Sequence, residues 1–292
     1  MQISNAALTL ELATRGGELR SIRTRDGAEW LWQGDPAWWG GRSPLLFPVV
    51  GKSPKDTVTI AGTSYPMPAH GVARISDFRL AETSPGSARF VLEATDETRK
   101  SYPFNFRLDI IYTLDDHTIT IEATVANRDA EPMPLQFGFH PGFAWPLPGS
   151  EGKPHAVTLA NGAEPTLYRL DADKLLLRAP HPSPFDAGHL LPHRSQYEAD
   201  AMIFVEGAGN HIAFFADGGG RIDMHTANLP NFALWQKPGA PYLCLEPWHG
   251  TAPWSDQGDA LEDRNGSLVL PPGQSASFRM DLTITPAAGA SS

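Results

Sequence analysis

One apolar run ends on a carboxylate: Tyr242-Leu243-Cys244-Leu245-Glu246-Pro247-Trp248-His249-Gly250 sets Glu246 at the close of a strand-like stretch. Burying an unpaired charge is costly, so such a carboxylate either gains a partner or has its pKa raised. Both outcomes suit a general base, and a buried ion pair with an arginine would meet the same condition. A second run, Gln136-Phe137-Gly138-Phe139-His140-Pro141-Gly142-Phe143, carries His140. Read as a strand, it turns Phe137 and Phe139 one way and Gln136, Gly138 and His140 the other. Glycine inside a strand costs stability and often marks the close approach of a ligand or another backbone. Glu246 and His140 each precede a proline, which biases both backbones toward the extended region and restricts the sweep of the side chains. A carboxylate and an imidazole held this rigidly are the parts of an acid/base pair.

Two further segments supply donors. Gly40-Gly41-Arg42-Ser43-Pro44 leads into the apolar stretch Leu45-Leu46-Phe47-Pro48-Val49-Val50. An arginine there either aims at a ligand's hydroxyls or sits at the edge in solvent. In Ala69-His70-Gly71-Val72-Ala73-Arg74, an extended backbone would put His70, Val72 and Arg74 on one face, with two donors pointing the same way. The tryptophans number eight: Trp30, Trp32, Trp38 and Trp39 lie close together, and Trp145, Trp235, Trp248 and Trp254 are spread over the second half. Aromatic faces stack on the apolar faces of sugar rings and serve equally well as core anchors, and Trp235 is taken here as a candidate sugar contact.

The histidines at the two strand-like runs, His140 and His249, show neither HxxxH nor HxH spacing, so no metal is expected. The GxSxG elbow, the glycine-rich phosphate loop and the GxGxxG turn after a strand are all missing, so no cofactor is expected either.

The elements that would carry these groups read as strands. Leu8, Leu10 and Leu12 alternate with polar residues, and so do Phe90, Leu92 and Ala94. Longer runs follow at Phe106 to Tyr112, Ile119 to Val125 and Phe278 to Ile284, with Asp115-Asp116 turning the chain between the first two. Period-two alternation bounded by turn residues marks half-buried strands. Helical spacing is confined to a turn around Asp35 to Trp39 and the stretch Leu170 to Leu177. The segment Ala179 to Arg194, rich in proline and histidine, reads as a long loop. The expected fold is all-β: one large antiparallel β-sandwich over residues 1–285, its long loops at one end, followed by a flexible tail over 286–292.

Composition narrows the partners. A chain of 292 residues buries a sizeable core without staples, and 41% hydrophobic with 19% charged residues is ordinary for a globular protein. A net charge of −10 argues against nucleic acid and anionic membrane surfaces as partners. The single Cys244 excludes an internal disulfide framework. With no basic-then-apolar leader and no run long enough to span a bilayer, the expectation is a cytoplasmic monomer or homodimer acting on a small molecule.

Taken together, the four segments resemble the aldose 1-epimerase (galactose mutarotase-like) family, and within it the bacterial branch. The resemblance rests on Arg42-Ser43-Pro44 with Leu46-Phe47-Pro48, His70-Gly71-Val72-Ala73-Arg74, Gly138-Phe139-His140-Pro141 and Glu246-Pro247-Trp248, in that order and over nearly the whole chain. It implies an antiparallel β-supersandwich with a sugar site in a groove on one sheet, and no cofactor. Carried over by motif, Glu246 is the general base, His140 the general acid, and Arg42, His70 and Arg74 line the site. Asp200, in Asp200-Ala201-Met202-Ile203-Phe204, matches a hydroxyl-binding aspartate. Val72 stands where phenylalanine is common, which bears only on pocket shape. The implied reaction opens and recloses the ring of a free aldohexose, with Glu246 and His140 facing each other across a hollow of hexose size. Three rival readings remain. A hexose-6-phosphate mutarotase would need extra cations for the phosphate, for which Arg42, Arg74, Lys52 and Lys237 are the candidates. A non-catalytic sugar-binding module would need the tryptophans but no acid/base pair. A glycosidase would need two carboxylates, Glu246 and Asp200, and leaves the histidine without a role.

Overall fold

The alternating segments become two large antiparallel sheets. The computed structural model describes residues 1–287; the expected tail beyond Ala287 lies outside the described residues. The larger sheet has nine strands. Its centre is formed by Ser275–Thr285, Thr118–Asn127 and Phe106–Asp115, with Arg221–Ala227 and Ser87–Glu93 on either side. The hairpin from Phe106–Asp115 to Thr118–Asn127 turns at Asp116, whose φ of 48° places it in the left-handed region that Asp tolerates in tight turns. The second sheet has six strands: Met202–Phe204, Asn231–Trp235, Tyr242–His249, Phe137–Phe139 and Leu45–Leu46 in order, with Gly142–Ala144 pairing beside Tyr242–His249. Among the described residues no helix is long and apolar enough to cross a membrane.

Period two decides what each face of the six-stranded sheet does. Leu243 and Leu245, Phe232 and Leu234, Met202 and Phe204, Phe137 and Phe139 all turn into the main core, against Phe106, Leu108, Ile121 and Met280 of the nine-stranded sheet. The sheets meet directly where Phe137 stacks on Phe278 with ring centroids 4.7 Å apart. The alternate residues (Tyr242, Cys244, Glu246, Trp248, Ala233, Trp235, Ile203) are excluded from that core and gather with other side chains on the opposite face. Glu246 therefore sits among apolar neighbours without interrupting the core.

Three local expectations need correction. Leu170 to Leu177 is not helical: Leu170 pairs with Leu176 across a tight turn, in which the Asp171 N–H donates to Leu175 O at 2.9 Å and Lys174 has a φ of 66°. The Asp171 carboxylate accepts the N–H groups of Asp173 and Leu175, so local side-chain bonding outcompetes the helix. The His70 to Arg74 segment is not extended. His70 and Gly71 both have positive φ, and Ala73–Ile75 forms a 3-10 turn. Only glycine fits at 71, where a Cβ would lie 2.1 Å from the Phe47 carbonyl oxygen. The third correction concerns Gly138. A Cβ there would meet Trp248 Cδ1 at 2.6 Å, so the glycine makes room for an indole, not for a ligand or backbone. Gly138→Ala is expected to lower stability by about 1–3 kcal/mol through overpacking. Thermal unfolding of the variant checks this, and an unchanged Tm would contradict the contact.

Candidate active site

A cavity of about 340 Å³ opens on the outward face of the six-stranded sheet. Its wall includes six of the residues expected from the sequence: His70, Arg74, His140, Asp200, Trp235 and Glu246. Each arrives from a different element. Glu246 comes from Tyr242–His249 and Trp235 from the neighbouring Asn231–Trp235, while His140 follows directly on Phe137–Phe139. His70 is held by a reciprocal pair of bonds with Gly51: its own N–H donates to Gly51 O at 2.8 Å, and the Gly51 N–H donates to His70 Nδ1 at 3.2 Å.

Glu246 and His140 are in direct contact. Nε2 of His140 lies 3.1 Å from Oε2 of Glu246, and the two side chains are 8% and 2% exposed. They stand side by side on the cavity floor, which corrects the expectation that a hollow separates them. Packing fixes the imidazole: Trp39 stacks on it with centroids 4.9 Å apart, while Trp235 and His70 meet it edge-on at 5.7 and 5.5 Å. Nδ1 of His140 is buried without a partner, so ring contacts rather than a hydrogen bond from Nδ1 set the ring's orientation.

The electrostatics favour a neutral pair. Burial pushes the Glu246 carboxyl well above its ordinary range, and Asp200 adds to the effect. Burial also holds His140 well below the usual imidazole value, reinforced by His70 and Arg74. Both shifts favour the same state, a carboxylic acid beside a neutral imidazole. His70 is depressed to about 4 by burial and by the Arg74 guanidinium. Between the ordinary value of 6.5 and about 4, the unfolded chain binds a proton at His70 that the folded chain does not. Its contribution is therefore complete above pH 6.5 and is lost as the pH falls through that window. Glu246 works with the opposite sign, its raised pKa costing stability as the pH rises. Urea midpoints are expected to drop from pH 7 to pH 5, and His70→Gln is expected to flatten part of that slope. An unchanged slope would contradict the burial of a neutral His70.

Arg42 does not reach the cavity. Its backbone N–H donates to Glu18 Oε1 at 3.1 Å and its Nη1 to Arg20 O at 3.2 Å, which draws the guanidinium into a separate surface pocket with Arg20 and Glu11. Lys237, considered as a phosphate contact, is absent from the wall too, while Lys52 belongs to it. Sequence reasoning missed Lys174 and the position of Trp39, and gave Trp248 no role in the site, yet all three line the cavity. Asp200 is paired with Lys174 at 2.7 Å.

His140, Cys244 and Glu246 each bring a potential ligand atom within 4.8 Å of the others, and these are the residues that could hold a metal ion. Burial raises the Cys244 thiol as it raises the carboxyl, so an ion would have to displace protons from both.

The two-sheet sandwich is the fold of galactose mutarotase-like proteins. The structure is similar to that of the galactose mutarotase related enzyme from Lactobacillus acidophilus, with a TM-score of 0.93 and 28% identity over 99% of this chain and 98% of that one. It shares its fold with a galactose mutarotase-like protein from Lactobacillus casei, at a TM-score of 0.89 and 24% identity over 98% and 99% of the two chains. The aldose 1-epimerase family profile matches residues 1–283, and the chain belongs to that family of isomerases. Protein LacX of Lactococcus lactis subsp. lactis is 28% identical over 300 residues, spanning 97% of this chain and 99% of LacX.

Proposed function

We propose that the cavity binds an aldohexose and interconverts its α and β anomers by acid/base opening and closure of the ring. The observation that carries this reading is the 3.1 Å contact between the buried Glu246 and His140 side chains at the cavity floor. The two oxygens that exchange protons in ring opening, the C1 hydroxyl and the ring oxygen, are both attached to C1. A donor and an acceptor standing side by side match them better than groups on opposite walls would.

The proton count closes. In the charged form of the pair, Glu246 takes the proton of the C1 hydroxyl while the imidazolium of His140 protonates the ring oxygen as the C1–O bond breaks. The pair is then left as carboxylic acid and neutral imidazole, the form that burial favours. Rotation about C1–C2 presents the other face of the aldehyde. Closure runs the transfers backward and restores the charged form, so the pair gains and loses no proton over a turnover. The neutral and charged forms interconvert by proton transfer across the direct 3.1 Å contact. Each positioned proton transfer contributes about 10²–10⁴-fold, and holding the ring in place adds an orientation contribution. Trp39, Trp235 and Trp248 line the cavity and give it aromatic surface for the sugar's C–H groups.

The pairing also weakens the glycosidase reading, because Asp200 is tied to Lys174 and Glu246 to His140. Binding of aldohexoses measured alongside the rate of anomer exchange tests the proposal. Acceleration supports it, and saturable binding without acceleration would make the protein a sugar-binding module instead.

A further inference from the structure

We infer that the outward face of the nine-stranded sheet carries a second site, in which His211 and His225 together bind one divalent late-transition ion such as zinc or copper(II). The site is separate from the cavity and does not depend on the anomer-exchange reading.

The pleat and the register build the pair. Ile212 and Phe214 of the strand His211–Ala216, and Ile222 and Met224 of Arg221–Ala227, turn into the core. The alternate residues His211, Asp223 and His225 therefore face outward. The strands run antiparallel with His211 directly opposite His225 and Ala213 opposite Asp223. Residues opposite each other on one face are within side-chain contact, and here the imidazoles stack with centroids 3.8 Å apart and planes 22° from parallel. The two histidines lie far apart in the chain, so linear spacing gives no sign of them. Two nitrogens bound to a tetrahedral zinc at about 2.0–2.1 Å stand about 3.3 Å apart. Rings already stacked at 3.8 Å approach that separation by a small rotation of two side chains, with no movement of the sheet. His211 is half-buried and His225 exposed, so the ion has a path from solvent.

The neighbours prepare His211 as a ligand. Its Nε2 lies 3.1 Å from Asp223 Oδ1. A carboxylate only accepts, so Nε2 carries the proton and Nδ1 keeps its lone pair for an ion. A ligating histidine whose other nitrogen donates to a carboxylate is the usual support of a bound zinc. Asp223 is itself fixed by Arg221, whose Nε and Nη2 donate to its two oxygens at 2.6 and 2.7 Å. It therefore orients His211 and leaves the ion to the imidazoles. On the other side of His225 stands Asp281, bonded by Arg279 and Thr120. Two carboxylates and two guanidinium groups balance, so the patch does not repel a cation. Imidazole nitrogens suit zinc, copper and nickel, whereas magnesium and calcium need oxygen ligands and would gain little from them.

Calorimetry with zinc sulfate, and copper(II) EPR at one equivalent of metal, test the assignment on the whole protein. Wild type should bind one zinc saturably, and its Tm should rise with zinc concentration and return on addition of EDTA. The copper spectrum should show two imidazole nitrogens. Asp223→Asn, which acts only through His211, is expected to weaken zinc binding by about 10-fold, as for other outer hydrogen-bond partners of a ligand. His211→Gln and His225→Gln should each weaken it further and cut the nitrogen count to one. The exposed His189 and His193 stay in every variant as a control for adventitious binding. Cys244→Ser should leave zinc affinity unchanged. A loss there would move the ion to the cavity cluster of His140, Cys244 and Glu246 and overturn the proposal. Zinc affinity that survives in either histidine variant, or a wild type that takes up no zinc, would overturn it as well.

Discussion

Replacing Glu246 with glutamine is expected to lower kcat for anomer exchange by about 10²–10⁴-fold with little loss of stability. The amide keeps the size of the carboxyl group and its contact with His140, but it neither takes nor gives the transferred proton. Burial already holds this carboxyl toward its neutral form, so a neutral amide adds no desolvation cost. The result separates chemistry from architecture: a Glu246 that merely braced His140 would give a variant whose Tm and activity fell together. Measuring kcat and Tm on the same preparation decides between the two.

The second large effect is expected at His140. His140→Asn should cost a similar factor, again about 10²–10⁴-fold, because either half of a turnover needs a donor and an acceptor at C1 together. The double variant should be hardly worse than the poorer single one, since groups that act as a unit lose their effect together. Losses that multiply would show the two side chains acting independently, contrary to the 3.1 Å contact that joins them. Trp39 keeps its stacking partner in the Glu246→Gln variant and loses it wherever His140 is replaced.

The strands were legible because period-two alternation is imposed by the pleat. Phe106 to Tyr112, Ile119 to Val125 and Phe278 to Ile284 each have one face that must leave water, and each forms a central strand. Glu246 stood out for the same reason, as the one carboxylate in an otherwise largely apolar run. His70 and Arg74 reach the cavity by a turn that the sequence did not announce, since the positive φ of His70 comes from its tertiary bonds to Gly51. Arg42 was misplaced because a motif conveys residue type and order but not direction, and here Glu18 and Arg20 decide where the guanidinium goes. Lys174 gave no signal. A lysine in a polar stretch is ordinarily a solvated surface residue, and only the hairpin formed around Asp171 brings it to the rim.

The distance between a sugar site and a sugar enzyme is covered by one direct observation, the optical rotation of a freshly dissolved α-aldohexose, or its 6-phosphate, with and without wild-type protein. The account predicts an approach to equilibrium whose rate rises in proportion to enzyme and whose final rotation equals that of the uncatalysed solution. Curves that are the same at every protein concentration for every aldose, or a final rotation displaced from the spontaneous one, would contradict it.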